Sequence, residues 1–403
     1  MQSTNPVHLP PTPRVHFSLP TSSLFQAFCP VRDPRRRQGR RFPLPAILTM
    51  TVAAILSNHL SLTAIAEWGA DQSPEIKRAL GFPKPTTPHV STLQRLFARL
   101  DPAALAAALR DYFDPHVPDP VPARGSHGVA IDGKALRGRL PHEPTRTHPV
   151  HTVSAFSHEL GMVLSQIAVQ TQQHEGELSV VPTLIEQGTW EGRVLTGDAL
   201  YCQRKLCAQV VEAGGDYLVL VDDNQPTLKA DIEQVFAPPP PPAPGHGVIV
   251  MEEQQAQTVD KGHGRLEVRE LRASSELREY LDWPYLEQVF EVRRSWTSRG
   301  VTKEEVRLGI TSLPQEIAGP ERLLELKRGH WGVENRLHWV KDEVLREDRS
   351  QVQRGTGPDI MAMLRSCAVS CLRRAGKQRI AAALRANSRK PAGALEVLGI
   401  PLS

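Results

Sequence analysis

Two proline-rich breaks decide how much of this 403-residue chain can share one run of regular structure. The first, FDPHVPDPVPARG, passes through Asp114 to Gly125, and the second, APPPPPAPGHG, spans Ala237 to Gly247. Proline removes an amide donor and clashes with the preceding turn, so neither segment can continue a helix. A chain of this length also exceeds one ordinary core. Together with the local composition these facts predict a disordered leader over 1–30, a helical N-terminal domain over 31–113, a second domain whose first part covers 125–236, a proline spacer with a β-rich insertion over 237–318, and C-terminal helices of that second domain over 319–403.

Before the first break, apolar residues recur at helical spacing, as in Ile47, Leu48, Val52 and Ile55, then Leu93, Leu96, Phe97 and Leu100. Leu44 to Ala66 approaches membrane length, but Asn58, His59 and several hydroxyl residues interrupt it, which predicts a buried helix pair and no membrane span. The first thirty residues lack a secretory signal pattern. Five cysteines form neither paired CxxC knuckles nor a zinc-spaced set with histidine, consistent with reduced thiols and a cytoplasmic location. Lys plus Arg exceed Asp plus Glu only by 48 to 44, yet Arg35, Arg36, Arg37, Arg40 and Arg41 are bunched in RRRQGRR, a pattern suited to a polyanion.

After the first break the pattern changes to strand-like runs: HGVAID, HTVSAF, MVLSQIAV, a helix near Ser179 to Gln187, GRVLTGD, a helix near Gln203 to Ala213, and DYLVLV. That order predicts an α/β fold, a ribonuclease-H-like mixed sheet flanked by helices, in which the first and fourth strands are neighbours. Val248 to Leu313 reads as a β-rich insertion, and helices resume near Pro320.

Three acids fall at telling places on that topology. Asp132 ends the first strand, Asp198 follows the fourth, and Glu334 lies within a helix in HWGVENRLHWVKD. At ordinary helical spacing His330, Glu334, His338, Lys341 and Asp342 share one polar stripe, while Trp331, Leu337 and Trp339 fall elsewhere and can pack. Each acid alone has an ordinary explanation: Asp132 before Gly133 as a turn former, Asp198 as a helix N-cap, Glu334 in an i,i+4 pair. Their joint placement points to carboxylates converging on divalent metal, the equipment for phosphodiester chemistry.

The stretches VAIDGKALRG, TGDALYCQRKLCAQVVEAGGDYLVLVDDNQPTL, GHGRLEVRE and RGHWGVENRLHWVKDEVLREDRS resemble the H-repeat-associated, ISAs-type insertion-sequence transposases of the DDE superfamily. RDPRRRQGRRFPLPAILTMTVAAILSNHLSLTAIAEWG is similar to their associated N-terminal domain, so the resemblance runs from about residue 30 to the C-terminus. It implies a catalytic and metal-binding triad of Asp132, Asp198 and Glu334 holding two Mg²⁺ ions, replaceable by Mn²⁺. It also implies cleavage at transposon ends, transfer of the freed 3′-hydroxyl into target DNA, and a dimer on DNA. DNA contacts are expected of Lys341, His338, His330, Arg328, Lys134, Arg137, the arginines of the 35–41 run, and Trp296 beside Arg293 and Arg294. Two departures stand out: Asp222-Asp223-Asn224-Gln225 replaces the family's KxNQ, and His330 stands where related transposases carry arginine, with Lys327 and Arg328 nearby. These leave open a degenerate or domesticated DNA-binding copy that no longer cuts, and a metal-dependent nuclease without strand transfer.

Overall fold

The computed structural model describes residues 23–113, 123–136, 151–169, 176–238, 254–262, 265–298 and 300–401. The segments 114–122 and 239–253, which include most of both proline breaks, lie outside the described residues, as do the leader up to residue 22 and Arg137.

Six helices come first: α1 (Leu24–Ala27), α2 (Leu44–Leu56), α3 (Leu62–Asp71), α4 (Pro74–Ala79), α5 (Val90–Phe97) and α6 (Pro102–Phe113). In α2 every residue but Pro45 is buried, because its surface is apolar all round and neighbours enclose it. Ser61 caps α3 by accepting from the Ala64 amide at 3.1 Å. The expected buried pair over Leu44–Ala66 is thus α2 and α3, and no helix among the described residues is long and apolar enough to cross a membrane. Ordered helical structure begins before residue 30, earlier than the expected end of the leader. Leu24 and Phe28 are fully buried in the helical core, and Ser23 and Gln26 close a capping box on α1.

The sheet follows, with β1 (His127–Ala135), β2 (His151–Ser157), β3 (Val163–Val169), α7 (Glu177–Gln187), β4 (Arg193–Gly197), α8 (Arg204–Glu212), β5 (Asp216–Val221) and α9 (Pro226–Val235). The insertion supplies β6 (Gln254–Gly262), β7 (Arg265–Ser274), β8 (Gln288–Ser298) and β9 (Val301–Thr311), and the chain ends with α10 (Pro320–His330), α11 (Gly357–Arg374), α12 (Ile380–Arg389) and α13 (Ala392–Val397). The nine strands form one sheet in the order β3-β2-β1-β4-β5-β9-β8-β7-β6. β1 runs parallel to β4 and β4 to β5, while β2 and β3 are antiparallel, the expected ribonuclease-H-like arrangement.

Two expectations about organisation need correction. The insertion is no separate β subdomain: β9 pairs antiparallel with β5, Leu218 to Val221 against Thr311 to Leu308, so strands β9 to β6 prolong the catalytic sheet. Likewise the N-terminal helices are no self-contained domain. Their core continues into α11, α12 and α13, and also takes in Phe156, Met162, Val163 and Leu337. A proline break interrupts local hydrogen bonding but places no limit on which surfaces pack across it.

Candidate active site

β1 and β4 bring the first two acids to adjacent strands, with Ala130 aligned to Thr196. Asp132 lies three residues inside β1, two beyond that pair, and Asp198 is the first residue after β4. The Asp198 carboxylate caps the 3₁₀ turn Ala199–Tyr201, accepting from the Leu200 amide at 2.9 Å. The loop is braced from behind: Asn224 donates to the Ala199 carbonyl at 2.7 Å and Gln225 to the Cys202 carbonyl at 3.0 Å. The DDNQ segment therefore positions Asp198. Its Asp222 is ion-paired to Lys229 at 3.4 Å and Arg307 at 3.5 Å.

Glu334 arrives on a helical segment that changes pitch. After α10 the chain forms π-helical turns over Glu334–His338 and Val340–Val344. A π turn closes i to i+5 and advances roughly 80° per residue against about 100° in an α-helix, so residues seven apart move to opposite faces. The stripe drawn at α-helical spacing accordingly breaks. His338 remains beside Glu334, its Nδ1 3.1 Å from Glu334 Oε2 and 3.5 Å from Asp132 Oδ2. Lys341 instead turns into the core, where it pairs with Glu347 at 3.2 Å beside Arg365. Lys341 thus cannot meet DNA as expected. Of the other stripe members, Asp342 binds Lys134 at 2.5 Å, locking that lysine against β1. His330 hydrogen-bonds Thr196 at 3.3 Å, anchoring α10 to β4, and Thr196 also contacts His158, the residue after β2, at 3.0 Å. Trp331 and Trp339, expected to pack, are each 55 % exposed, whereas Leu337 is buried.

The electrostatics fit a cation site. Burial, reinforced by Asp198, Glu177 and Glu334, pushes Asp132 up to about 7 despite the Gly133 amide. Burial also raises Asp198. His338 is lowered to about 3, first by burial and then by Lys341 and Lys134, so its imidazole is neutral and available as a ligand. One oxygen each from Asp132 and Glu334 and one His338 nitrogen lie within 4.8 Å of one another. This oxygen-rich donor set, with His338 Nδ1 facing both carboxylates, suits a divalent cation.

Beside Asp198 opens a cleft of about 650 Å³ between α10 and the insertion strands. Arg265, Arg269, Arg294, Arg307, Lys327 and Arg328 line it, against Asp222 and Glu305, with Trp331 and Leu200 at its wall. Buried Glu267 collects Arg265, Arg269 and Arg294, holding their guanidinium groups toward the cleft. Lys327 is lowered to about 8 by burial and the surrounding arginines, against the pull of Glu305. The sequence pointed to Arg328 as a DNA contact, with Lys327 and Arg294 as neighbours of expected contacts, but not to Arg265, Arg269 or Arg307, whose convergence depends on cross-strand register. Arg328 pairs with Asp260 at 2.9 Å. Trp296 is half-buried beneath Arg294, 4.7 Å from guanidinium carbon to ring centre. In the N-terminal run Arg36, Arg37, Arg40 and Arg41 are exposed, whereas Arg35 is bound to Asp33 at 2.7 Å.

The Transposase DDE domain family matches residues 124–371, and the family described as DDE_Tnp_1-associated matches residues 25–113. The chain belongs to the DDE transposase family. Among its relatives in Escherichia coli (strain K12), YbfL is 28% identical over 350 residues, covering 85% of this chain and 88% of its own. The H repeat-associated putative transposase YhhI of the same strain is 27% identical over 351 residues, with the same two coverages. A cryo-EM structure of a piggyBac transposase synaptic complex with hairpin DNA aligns with 92% of this chain and 77% of its own at a TM-score of 0.40 and 10% identity, too distant for residue-level comparison. Divalent metal use follows from the DDE family, and the Asp132, Glu334 and His338 donors of this transposase-family chain are compatible with it.

Proposed function

We propose that this protein is a transposase of a bacterial insertion sequence that cleaves DNA at the element's ends with Mg²⁺ and joins the freed 3′-hydroxyl to target DNA. The observation that carries the reading is the meeting of Asp132, Glu334 and His338 donor atoms within 4.8 Å, on the strand next to the Asp198 turn. Asp132, Asp198 and Glu334 hold the metal in this reading, and Mn²⁺ substitutes for Mg²⁺. When bound, two such ions activate the attacking oxygen and offset charge on the leaving one. The chain's own contribution is positional. His338 spaces Asp132 from Glu334, Asn224 and Gln225 fix the Asp198 turn, and the Lys134 to Asp342 pair ties the Glu334 segment to β1.

The cationic cleft beside Asp198 is the surface this reading assigns to the DNA backbone, with Lys327, Arg328 and Arg307 on phosphates. Exposed Arg36, Arg37, Arg40 and Arg41 serve as a second phosphate contact, and two copies act on paired ends. Incubating the purified chain with its element's terminal repeats and Mg²⁺ or Mn²⁺ tests the proposal. Expected are 3′-hydroxyl cleavage products and their joining to a target plasmid, both lost in Asp132→Ala. End binding without cleavage would identify a DNA-binding copy instead, and cleavage without joining would identify a nuclease.

A further inference from the structure

Between Asp359 and Glu396 the sequence holds no acidic residue. α12 lies in that span, beyond residue 371, where the match to the Transposase DDE domain ends. Its inner face carries Ile380, Leu384 and Asn387, all buried, and Asn387 donates to the Leu56 carbonyl at 3.2 Å, so α12 is fixed in rotation against α2. Helical spacing then turns Ala382, Arg385, Ala386 and Arg389 to the other side, and all four are exposed. Lys377 and Arg379 before the helix and Lys390 after it are exposed as well. Among the described residues none of these five cations has an ion-pair partner, whereas Arg265, Arg269 and Arg294 of the cleft are collected by Glu267. Arg385 and Arg389 also stand one turn apart, a spacing at which like charges destabilise a helix. A polyanion laid along this face supplies the countercharge that the chain itself does not.

The place of this face in the fold says which polyanion. The Glu334 segment has the cationic cleft at its start, where Trp331 and Asn335 line the wall, and α12 at its end, packed against Val340–Val344. Arg373, at the close of α11, is lowered first by burial and then by Arg336 of that segment, so positive charge continues from the segment toward α12. Four residues along a helix rise about 6 Å, close to two base steps of about 3.4 Å each on one DNA strand. Ala382 and Ala386 keep the helix surface low between the arginines, leaving room for a phosphate backbone to approach. We infer that the outer face of α12 binds the phosphate backbone of duplex DNA, with Arg385 and Arg389 on phosphates and Lys377, Arg379 and Lys390 flanking them. The inference rests on the reading of this chain as a transposase acting on DNA, and adds a contact at the opposite end of the Glu334 segment from the cleft. Such a contact fixes the position of the duplex without reading its sequence.

Binding of the full chain to a terminal-repeat duplex and to an unrelated duplex of equal length, followed by fluorescence anisotropy in EDTA across a salt series, tests it. The double variant Arg385→Gln with Arg389→Gln is expected to weaken binding to both duplexes alike, and to flatten the plot of log affinity against log salt by about 1.8, two phosphate contacts at about 0.9 each. Arg385→Lys with Arg389→Lys should restore most of the slope, and Arg278→Gln, which removes an exposed cation already paired with Glu287, should leave it unchanged. The unfolding midpoint of the glutamine double variant should equal or exceed that of the parent, because a repelling pair has gone. An unchanged slope on both duplexes, in a wild type that still cleaves and joins ends, overturns the role of α12 and leaves the transposase reading standing. Absence of DNA binding by the wild type overturns both. If the glutamine variant does not fold, lysine acetylation of the wild-type chain decides: protection of Lys377 and Lys390 by bound duplex supports the assignment, and equal labelling with and without DNA overturns it.

Discussion

The two halves of the sheet carry opposite chemistry. On the β1 and β4 side, Asp132, Asp198, Glu177 and Glu334 gather negative charge around partly buried backbone, and Asp132 and Asp198 are raised. Across β5, on strands β7 to β9, arginines face the cleft, and Glu267 among them, although buried, is lowered by Arg294, Arg269 and Arg265. In the first half the crowding of Asp132 and Asp198 is of a kind that a cation would relieve. In the second, internal carboxylates already offset much of the positive charge. In the proposed reading, metal affinity and DNA affinity are built on separate strands and meet at Asp198, which belongs to both the acid cluster and the cleft wall.

The sharpest way to break this division is through the support of the acid half. Glu347→Ala leaves Lys341 and Arg365 buried without their carboxylate and should cost about 3–5 kcal/mol, read as a fall in the denaturation midpoint. Next in size, Asp132→Asn, Asp198→Asn and Glu334→Gln should each lower cleavage by about 10²–10³-fold or more, the scale for losing a charge-stabilising group. DNA binding measured in EDTA should persist in all three. If binding disappears with the acids, the two halves are not separable.

A smaller effect concerns pH. Asp132 titrates near 7 in the folded chain against 3.8 when free, so the folded state binds more protons between those values. Stability in EDTA should therefore be greatest below about pH 4 with respect to this group, and fall as pH rises through 7, by on the order of 2–4 kcal/mol. Asp132→Asn should remove that slope, and saturating Mn²⁺ should reduce it. The smallest effect belongs to the cleft. Lys327→Ala should reduce the salt dependence of DNA binding by about one phosphate contact, while Lys327→Arg keeps it. Because Lys327 sits near 8, binding to the wild type should weaken from pH 7 to 9, and Lys327→Arg should not show that decline.

Much of the first half was legible in the sequence. Apolar strand-like runs marked β1 to β5, and their order with the helices implied the β1 to β4 neighbourhood that juxtaposes Asp132 and Asp198. Glu334 was found by its setting, but its companions were misjudged because helical spacing assumes one pitch. The π turns kept His338 and moved Lys341 inward, and nothing in ENRLHWVKDEV announces a change of hydrogen-bond register. Glu177 was missed for another reason. Its one local signal is an acid opening a helix, whereas its effect on Asp132 and its bond from the Tyr201 hydroxyl are set by the tertiary fold. The cleft arginines are likewise long-range, set by the pairing of Arg269 with Arg294 across β7 and β8.

The shared helical core has a bearing on how the molecule is made. α2 is apolar on every side, yet part of its cover comes from α11, more than three hundred residues later. Asn387 donates to the Leu56 carbonyl, and Arg365 to that of Leu60, so even backbone groups at the end of α2 wait for the far end of the chain. On a ribosome, the N-terminal helices emerge first and cannot finish their packing until translation is nearly done. The same late residues follow directly on the Glu334 segment and hold it through Glu347 and Arg365. Completion of the fold and completion of the acid cluster are then one event, and a nascent chain stalled before α11 should carry neither.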